Sequence, residues 1–485
     1  MKNGLVVMTL ALALIARAVR GGESTQDVRQ SMLRFLDSKQ PDLVAMNQDI
    51  WNYAELGLEE TKSAARLVGA LKAAGFRVKE NVADMPTAFI AEYGSGRPII
   101  GILAEYDALP ELSQEVTTSR KAADGRTTGH GCGHSALGTA AVGGAIAVKE
   151  AIDQFKLKGT VRVYGTPAEE TLIGKVYMAL AKQFDDLDAC LHWHPGGKNR
   201  VSFMSSKAMV SAKFTFAGLP AHASGSPHRG RSALDGVELM NIGANYMREH
   251  VKETSRTHYV ITQGGGQPNV VPSSAQVWYF VRANTHEDAE ANFDWLRDIA
   301  AAAAKMSRTK LTVQIDTDCH EIIPNRPLSE VIARNMKLVG PPRFDDKDRD
   351  FAKRLQDTFR SDSGFSEKTP LSETVEELPD KPIDADGGST DVGDVSWKVP
   401  TSGFQSACFA AGSPGHSWQN VAAIGSPIGH KGLLVAAKVF ALTTVDLFND
   451  PEALKAARAD FDERMKDKKY TTRIPRGQKA PRKIR

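Results

Sequence analysis

The chain has 485 residues, 41% hydrophobic and 25% charged, a globular composition with enough apolar mass for two or three domains. Lys+Arg 61 against Asp+Glu 58 leaves a net charge of only +3, which excludes a protein drawn to nucleic acid or membrane by its overall field. The four cysteines, Cys132, Cys190, Cys319 and Cys408, are too few and too scattered for a disulfide framework in a chain of this length.

At the N-terminus, Lys2 precedes an apolar run over 5–16, and Ala16-Arg17-Ala18 has the form of a cleavage site. These features predict a signal peptide over 1–22 and a periplasmic or secreted protein, with a cytoplasmic location as the alternative. The run is too short to span a membrane. Helical periodicity follows over 26–37, 41–56 and 59–75. A continuous apolar run over 97–107 then reads as a buried strand whose carboxyl end delivers Glu105 and Asp107.

The stretch Gly129-His130-Gly131-Cys132-Gly133-His134 places a thiol and an imidazole two residues apart between glycines, a spacing suited to two ligands of one metal site. Small residues over 135–155 predict a helix packed closely on a sheet. Strands follow over 160–165, ending at Glu169-Glu170, and over 188–194, ending at His192 and His194. Strands alternating with helices imply a largely parallel sheet whose site lies at the carboxyl ends of its strands. The adjacent carboxylates can divide two roles there, one binding a cation while the other takes a proton from water.

Residues 207–318 change character. Strands over 208–216, 257–262, 275–283 and 311–316, with helices over 231–250 and 286–305, give the βαββαβ order of a ferredoxin-like unit. The expected architecture is therefore α/β, a largely parallel sheet in two parts, 23–206 and 319–450, with this ferredoxin-like unit inserted as a separate domain. The charged, proline-containing stretch 341–386 predicts a helix and an irregular excursion outside the core. Residues 388–394 read as a turn with candidate site residues, His416 sits in a loop, and 430–448 as a last apolar helix. The basic tail within 451–485 predicts a solvated, frayed terminus.

Seven motifs in order, among them Ala104 to Pro110, Gly131 to His134, Pro167 to Glu170, Trp193 to Pro195, Gly218 to Ala223, Asn269 to Pro272 and His416 to Trp418, resemble the dinuclear-metal amidohydrolases. That family includes metallo-aminoacylases, auxin-conjugate hydrolases, glutamate carboxypeptidases and, nearest in motif, aminobenzoyl-glutamate hydrolases. The resemblance implies two divalent ions, zinc or manganese, held by Cys132 as a bridge, His134, Glu170, His194 and His416. His192 is the alternative to His194 because relatives differ there. A thiolate and three imidazoles favour zinc by ligand softness.

The same resemblance implies Glu169 as general base, Asp107 and more weakly Glu105 behind the ligands, and Asn269 with Arg282 on a substrate carboxylate. His222 would reach the active site of a partner subunit and stabilise the oxyanion. The parallel sheet would be that of a metallopeptidase, and the inserted unit a dimerisation or lid domain. The implied activity is metal-assisted hydrolysis of an N-acyl or N-aroyl amino acid with a free carboxylate, of the aminobenzoyl-glutamate kind. The implied partners are a second copy of the chain or a homologous subunit. Two alternatives are a dipeptidase for unusual, β-alanyl-type dipeptides and a catalytically silent partner subunit, the latter having no need of Glu169.

Overall fold

The computed structural model describes residues 25–361, 365–385 and 387–483. The expected leader over 1–22 lies outside them. The strands are β1 (Arg77–Glu80), β2 (Phe89–Ser95), β3 (Ile99–Ala104), β4 (Gly159–Gly165), β5 (Ala189–Gly196), β6 (Arg200–Val201), β7 (Ala208–Ala217), β8 (Arg256–Gln263), β9 (Ser274–Ala283), β10 (Lys310–Cys319) and β11 (Thr401–Ala407). They form two sheets, one ordered β1-β2-β4-β3-β5-β11-β6 and one ordered β10-β7-β9-β8.

In the larger sheet the inner strands β4, β3, β5 and β11 are parallel, while β1, β2 and β6 add antiparallel edges. The inner strands are buried on both faces, which is why Ile100, Ile102, Val161, Val163 and Leu191 form near-continuous apolar runs. Helices His134–Phe155 and Pro427–Asn449 pack side by side on this sheet. Their small residues, such as Ala140, Ala141, Ala436 and Ala437, are fully buried and allow close approach of the backbones.

The smaller sheet is wholly antiparallel. Helices Ala233–Met247 and His286–Ser307 cover one face, where Phe214, Val277, Tyr279 and Phe293 make the core. Along β9, Ala275, Val277, Tyr279 and Val281 are buried, whereas Gln276, Trp278, Phe280 and Arg282 alternate with them and are only partly buried. The α/β class, with its mostly parallel sheet and ferredoxin-like unit, is therefore as expected.

Sequence periodicity overlooked β1, β2, β6 and β11. β1 is a charged edge strand, and β11 reads as a Ser- and Gly-rich loop with one large apolar residue. In β11 small residues are required by packing, since a Cβ on Gly403 would meet the His192 ring at 2.4 Å.

Two other expectations need correction. The stretch 341–386 does hold the expected helix, Asp346–Gln356, but it is not outside the core, because Phe344, Leu355, Phe359 and Leu371 are buried in the main cluster. Widely spaced anchors of this kind escape a reading by composition. The tail is not frayed either. After the helix Pro451–Met465, Ile474 and Ala480 are buried, and the Tyr470 ring stacks on His320 at 4.3 Å. Arg473 bonds to Glu290 at 3.1 Å and Asp294 at 2.7 Å. The tail's basic residues meet acids far away in sequence, so its composition gave no sign of its docking.

Tyr470 donates its hydroxyl to the buried Asp394 carboxylate at 2.6 Å. Tyr470→Phe is expected to destabilise the fold by about 1–3 kcal/mol, because the buried carboxylate loses one charge-assisted hydrogen bond and keeps those from His320. A thermal melt with an unchanged midpoint would refute that role.

Candidate metal centre and active site

The carboxyl ends of the parallel strands converge as the alternating pattern requires. β3 leads into Glu105 and Asp107, and β4 into a short turn of 3-10 helix, Glu169–Thr171. β5 carries His192 and His194, and the loop after β11 carries His416. Gly133, at φ 82, turns the chain so that Cys132 lies just before the long core helix and His134 opens it. Ala168 and His416 also adopt positive φ, 56 and 50, a conformation costly for side chains with a Cβ and concentrated at functional sites.

Two sets of donor atoms form there. Cys132, His134 and His194 make one, and Cys132, Glu170 and His416 the other, with the ligand atoms of each set within 4.8 Å of one another. Cys132 is common to both. A third set joins Glu105, His134 and Glu169. Both histidines left open by sequence line the same cavity, but His194 enters a donor set, whereas His192 enters none and lies against Gly403.

Hydrogen bonds fix the orientations. Asp107 takes the Nδ1 side of His134 at 2.8 Å and accepts the Glu170 backbone N–H at 2.9 Å. His194 donates Nδ1–H to the Pro195 carbonyl at 2.7 Å. Both imidazoles are thus left with Nε2 for the centre, the arrangement that orients metal-ligating histidines. His134 Nε2 and Glu170 Oε1 are buried with no hydrogen-bond partner, an omission a bound cation would explain.

The electrostatics point the same way. Burial and then the neighbouring Glu170 push the Cys132 thiol up. Burial, with Asp107 and Glu105 among the further causes, raises Glu170 to about 7 against the opposing pull of His134. Glu169 is driven well above the usual carboxylate range, by burial first and by Glu105 second. Burial lowers His194 to about 4, reinforced by His134, so the imidazole is neutral and free to ligate at neutral pH. Crowded acids and a thiol that resist ionisation are a site where divalent charge would reverse the balance. The donor set therefore fits the two ions.

Sequence reasoning missed Lys175 and Glu60. The Lys175 ammonium is fully buried, bonding Glu105 at 2.8 Å and Asp391 at 2.6 Å. Its signal was available, since a lone lysine in an apolar helical run needs buried partners. Glu60 accepts the Ala168 N–H at 2.8 Å and the Thr87 hydroxyl at 3.0 Å, fixing the turn that presents Glu169. Arg282 also faces the site: it lines the same cavity as Cys132 and Glu169 and bonds Ser389 at 3.2 Å. His222 and Asn269 are exposed on the inserted unit and do not line that cavity.

The model of peptidase family M20/M25/M40 matches residues 101–420. The chain is also 39% identical over 472 residues to one of the subunits of the p-aminobenzoyl-glutamate hydrolase of Escherichia coli, a match covering 92% of this chain and 98% of the relative. The chain belongs to peptidase family M20/M25/M40. It is an amide-bond hydrolase accordingly. A second relative, the Xaa-Arg dipeptidase of Mus musculus, is 28% identical, with 88% of this chain and 90% of the relative covered. Among solved structures, the fold matches Bacillus subtilis YXEP, described as a dinuclear metal binding peptidase from the M20 family. That match has a TM-score of 0.52 at 18% identity and covers 85% of this chain and 99% of that one. The M20 family match spans all the donor residues, Cys132 to His416, together with Glu169.

Proposed function

We propose that this protein hydrolyses the amide bond of N-acyl or N-aroyl amino acids bearing a free carboxylate, of the aminobenzoyl-glutamate kind, using two divalent cations. The carrying observation is the pair of donor sets sharing the Cys132 thiol, with Glu169 beside them but in neither. Cys132, His134 and His194 would hold one cation, and Cys132, Glu170 and His416 the other. Ions held there supply Lewis acidity toward water and carbonyl oxygen.

The chain's own groups do the rest. Glu169, desolvated and raised in pKa, accepts the proton of the attacking water and returns it to the leaving nitrogen. Arg282 meets the substrate carboxylate, and Asp107 keeps His134 in the required tautomer. The E. coli relative supports the N-aroyl reading, and the presence of two distinct subunits of that hydrolase among the relatives supports a second chain as partner. The Xaa-Arg dipeptidases support a second reading, in which a dipeptide occupies the same site.

Assays on 4-aminobenzoyl-glutamate, N-acetyl amino acids and dipeptides, with elemental analysis of the purified protein, test the proposal. Cys132→Ala is expected to lower the metal content, because it removes the donor common to both sets and leaves two cations to repel each other. Unchanged stoichiometry would remove Cys132 from the centre.

A further inference from the structure

A second cavity adjoins the catalytic one, and Glu170 lines both. It has a volume of about 370 Å³, at the lower end of small-molecule pockets. Leu56, Leu109 and Pro110, in loops outside the larger sheet, wall it on one side, and Val260, Trp278 and Phe280 of the smaller sheet on the other.

The register of β9 connects the two cavities. Trp278, Phe280 and Arg282 stand on one face of the strand, spaced about 7 Å apart at alternate positions. Arg282 reaches the catalytic cavity, while Phe280 and Trp278 line the second. The guanidinium lies 5.5 Å from the Phe280 ring centroid, and the Trp278 and Phe280 rings meet edge to face at 5.3 Å. Trp278 has already committed its indole N–H to Ser211 Oγ at 2.8 Å. Its ring therefore offers the cavity π-surface and little hydrogen-bonding capacity. On the neighbouring strand Val260 pairs in register with Trp278 and extends the apolar wall.

We infer that Trp278 and Phe280 form the acyl pocket and select an apolar, aromatic acyl group. This rests on the amide-hydrolase reading above. A substrate whose carboxylate lies at Arg282 and whose scissile carbonyl lies beside Glu170 has its amino-acid part in the catalytic cavity. The acyl group then extends past Glu170 into the apolar one. A flat ring fills that space and stacks on the aromatic pair, whereas an acetyl group leaves it to water.

The test compares kcat/KM for 4-aminobenzoyl-glutamate and N-acetyl-glutamate in the wild type, Trp278→Ala and Phe280→Leu. Circular dichroism and metal content are monitored in parallel. Each variant is expected to lose about 10- to 100-fold on the aroyl substrate, the scale of lost apolar contact in a specificity pocket. The rate on the acetyl substrate should stay within about 3-fold in Trp278→Ala, whereas Phe280→Leu, which also removes the ring beside the Arg282 guanidinium, is read by its aroyl-to-acetyl ratio, expected to fall about 10-fold. Phe280→Leu keeps an apolar side chain at a partly buried position and decides the matter if Trp278→Ala does not fold. A wild type that cleaves both substrates, with variants that leave the ratio unmoved or lower both rates equally, overturns the acyl pocket alone. A wild type inert to every N-acyl amino acid overturns the amide-hydrolase reading itself and the pocket with it.

Discussion

Glu169→Gln should retain the fold and the full metal content while turnover falls by about 10²–10⁴-fold, the usual contribution of a positioned general base. The substitution preserves shape and removes only the ability to accept a proton. Glu169 suits that role because burial, with Glu105 as the second cause, holds its carboxyl well above the ordinary range. Its proton affinity is thereby raised toward that needed to take a proton from water and give it up to an amine. Glu170, one residue later, is distinguished by geometry: it stands with Cys132 and His416, and its backbone N–H is held by Asp107. Single-turnover kinetics and elemental analysis of Glu169→Gln check the division. Loss of metal from that variant would show that the two glutamates have exchanged roles.

How much of this centre was legible in the sequence depended on the length scale of the signal. Cys132 and His134 are two residues apart, and Glu169 and Glu170 are adjacent at a strand end, so local pattern and motif order drew attention to them. The βαββαβ unit was legible because β9 alternates strictly and one face of its sheet is covered by helices. β11 was not, because a parallel strand under the His192 ring must be built from small residues that mimic a loop. Lys175 escaped notice because its value lies in partners 70 and 216 positions away, Glu105 and Asp391. The tail was misread for the same reason, since Tyr470 and Arg473 are held by distant residues such as His320, Asp394, Glu290 and Asp294. Local periodicity reports which face is buried, whereas a buried charge is explained by whichever distant residue the topology brings to it.

His222→Ala is expected to lower kcat by about 10²–10³-fold, the cost of removing one oxyanion donor, although His222 does not line the catalytic cavity of its own chain. Its Nδ1 accepts the N–H groups of Ser224 at 3.2 Å and Gly225 at 3.0 Å. With Nδ1 accepting these bonds, Nε2–H is the ring's remaining donor. A donor on an exposed loop would serve catalysis if a second copy of the chain presented it. The inserted unit is suited to such an encounter, since β8 is an open sheet edge and exposed apolar residues such as Leu219, Ile242, Tyr246, Ile261 and Val270 are gathered on it. If the site is completed across two chains, His222→Ala and Glu169→Gln proteins should each be nearly inactive. Dissociating and reassociating the two together should then restore activity to one of the two sites in every mixed dimer, where an intact base faces an intact donor. Mixed dimers demonstrated by mass, yet as inactive as their parents, would exclude a shared site.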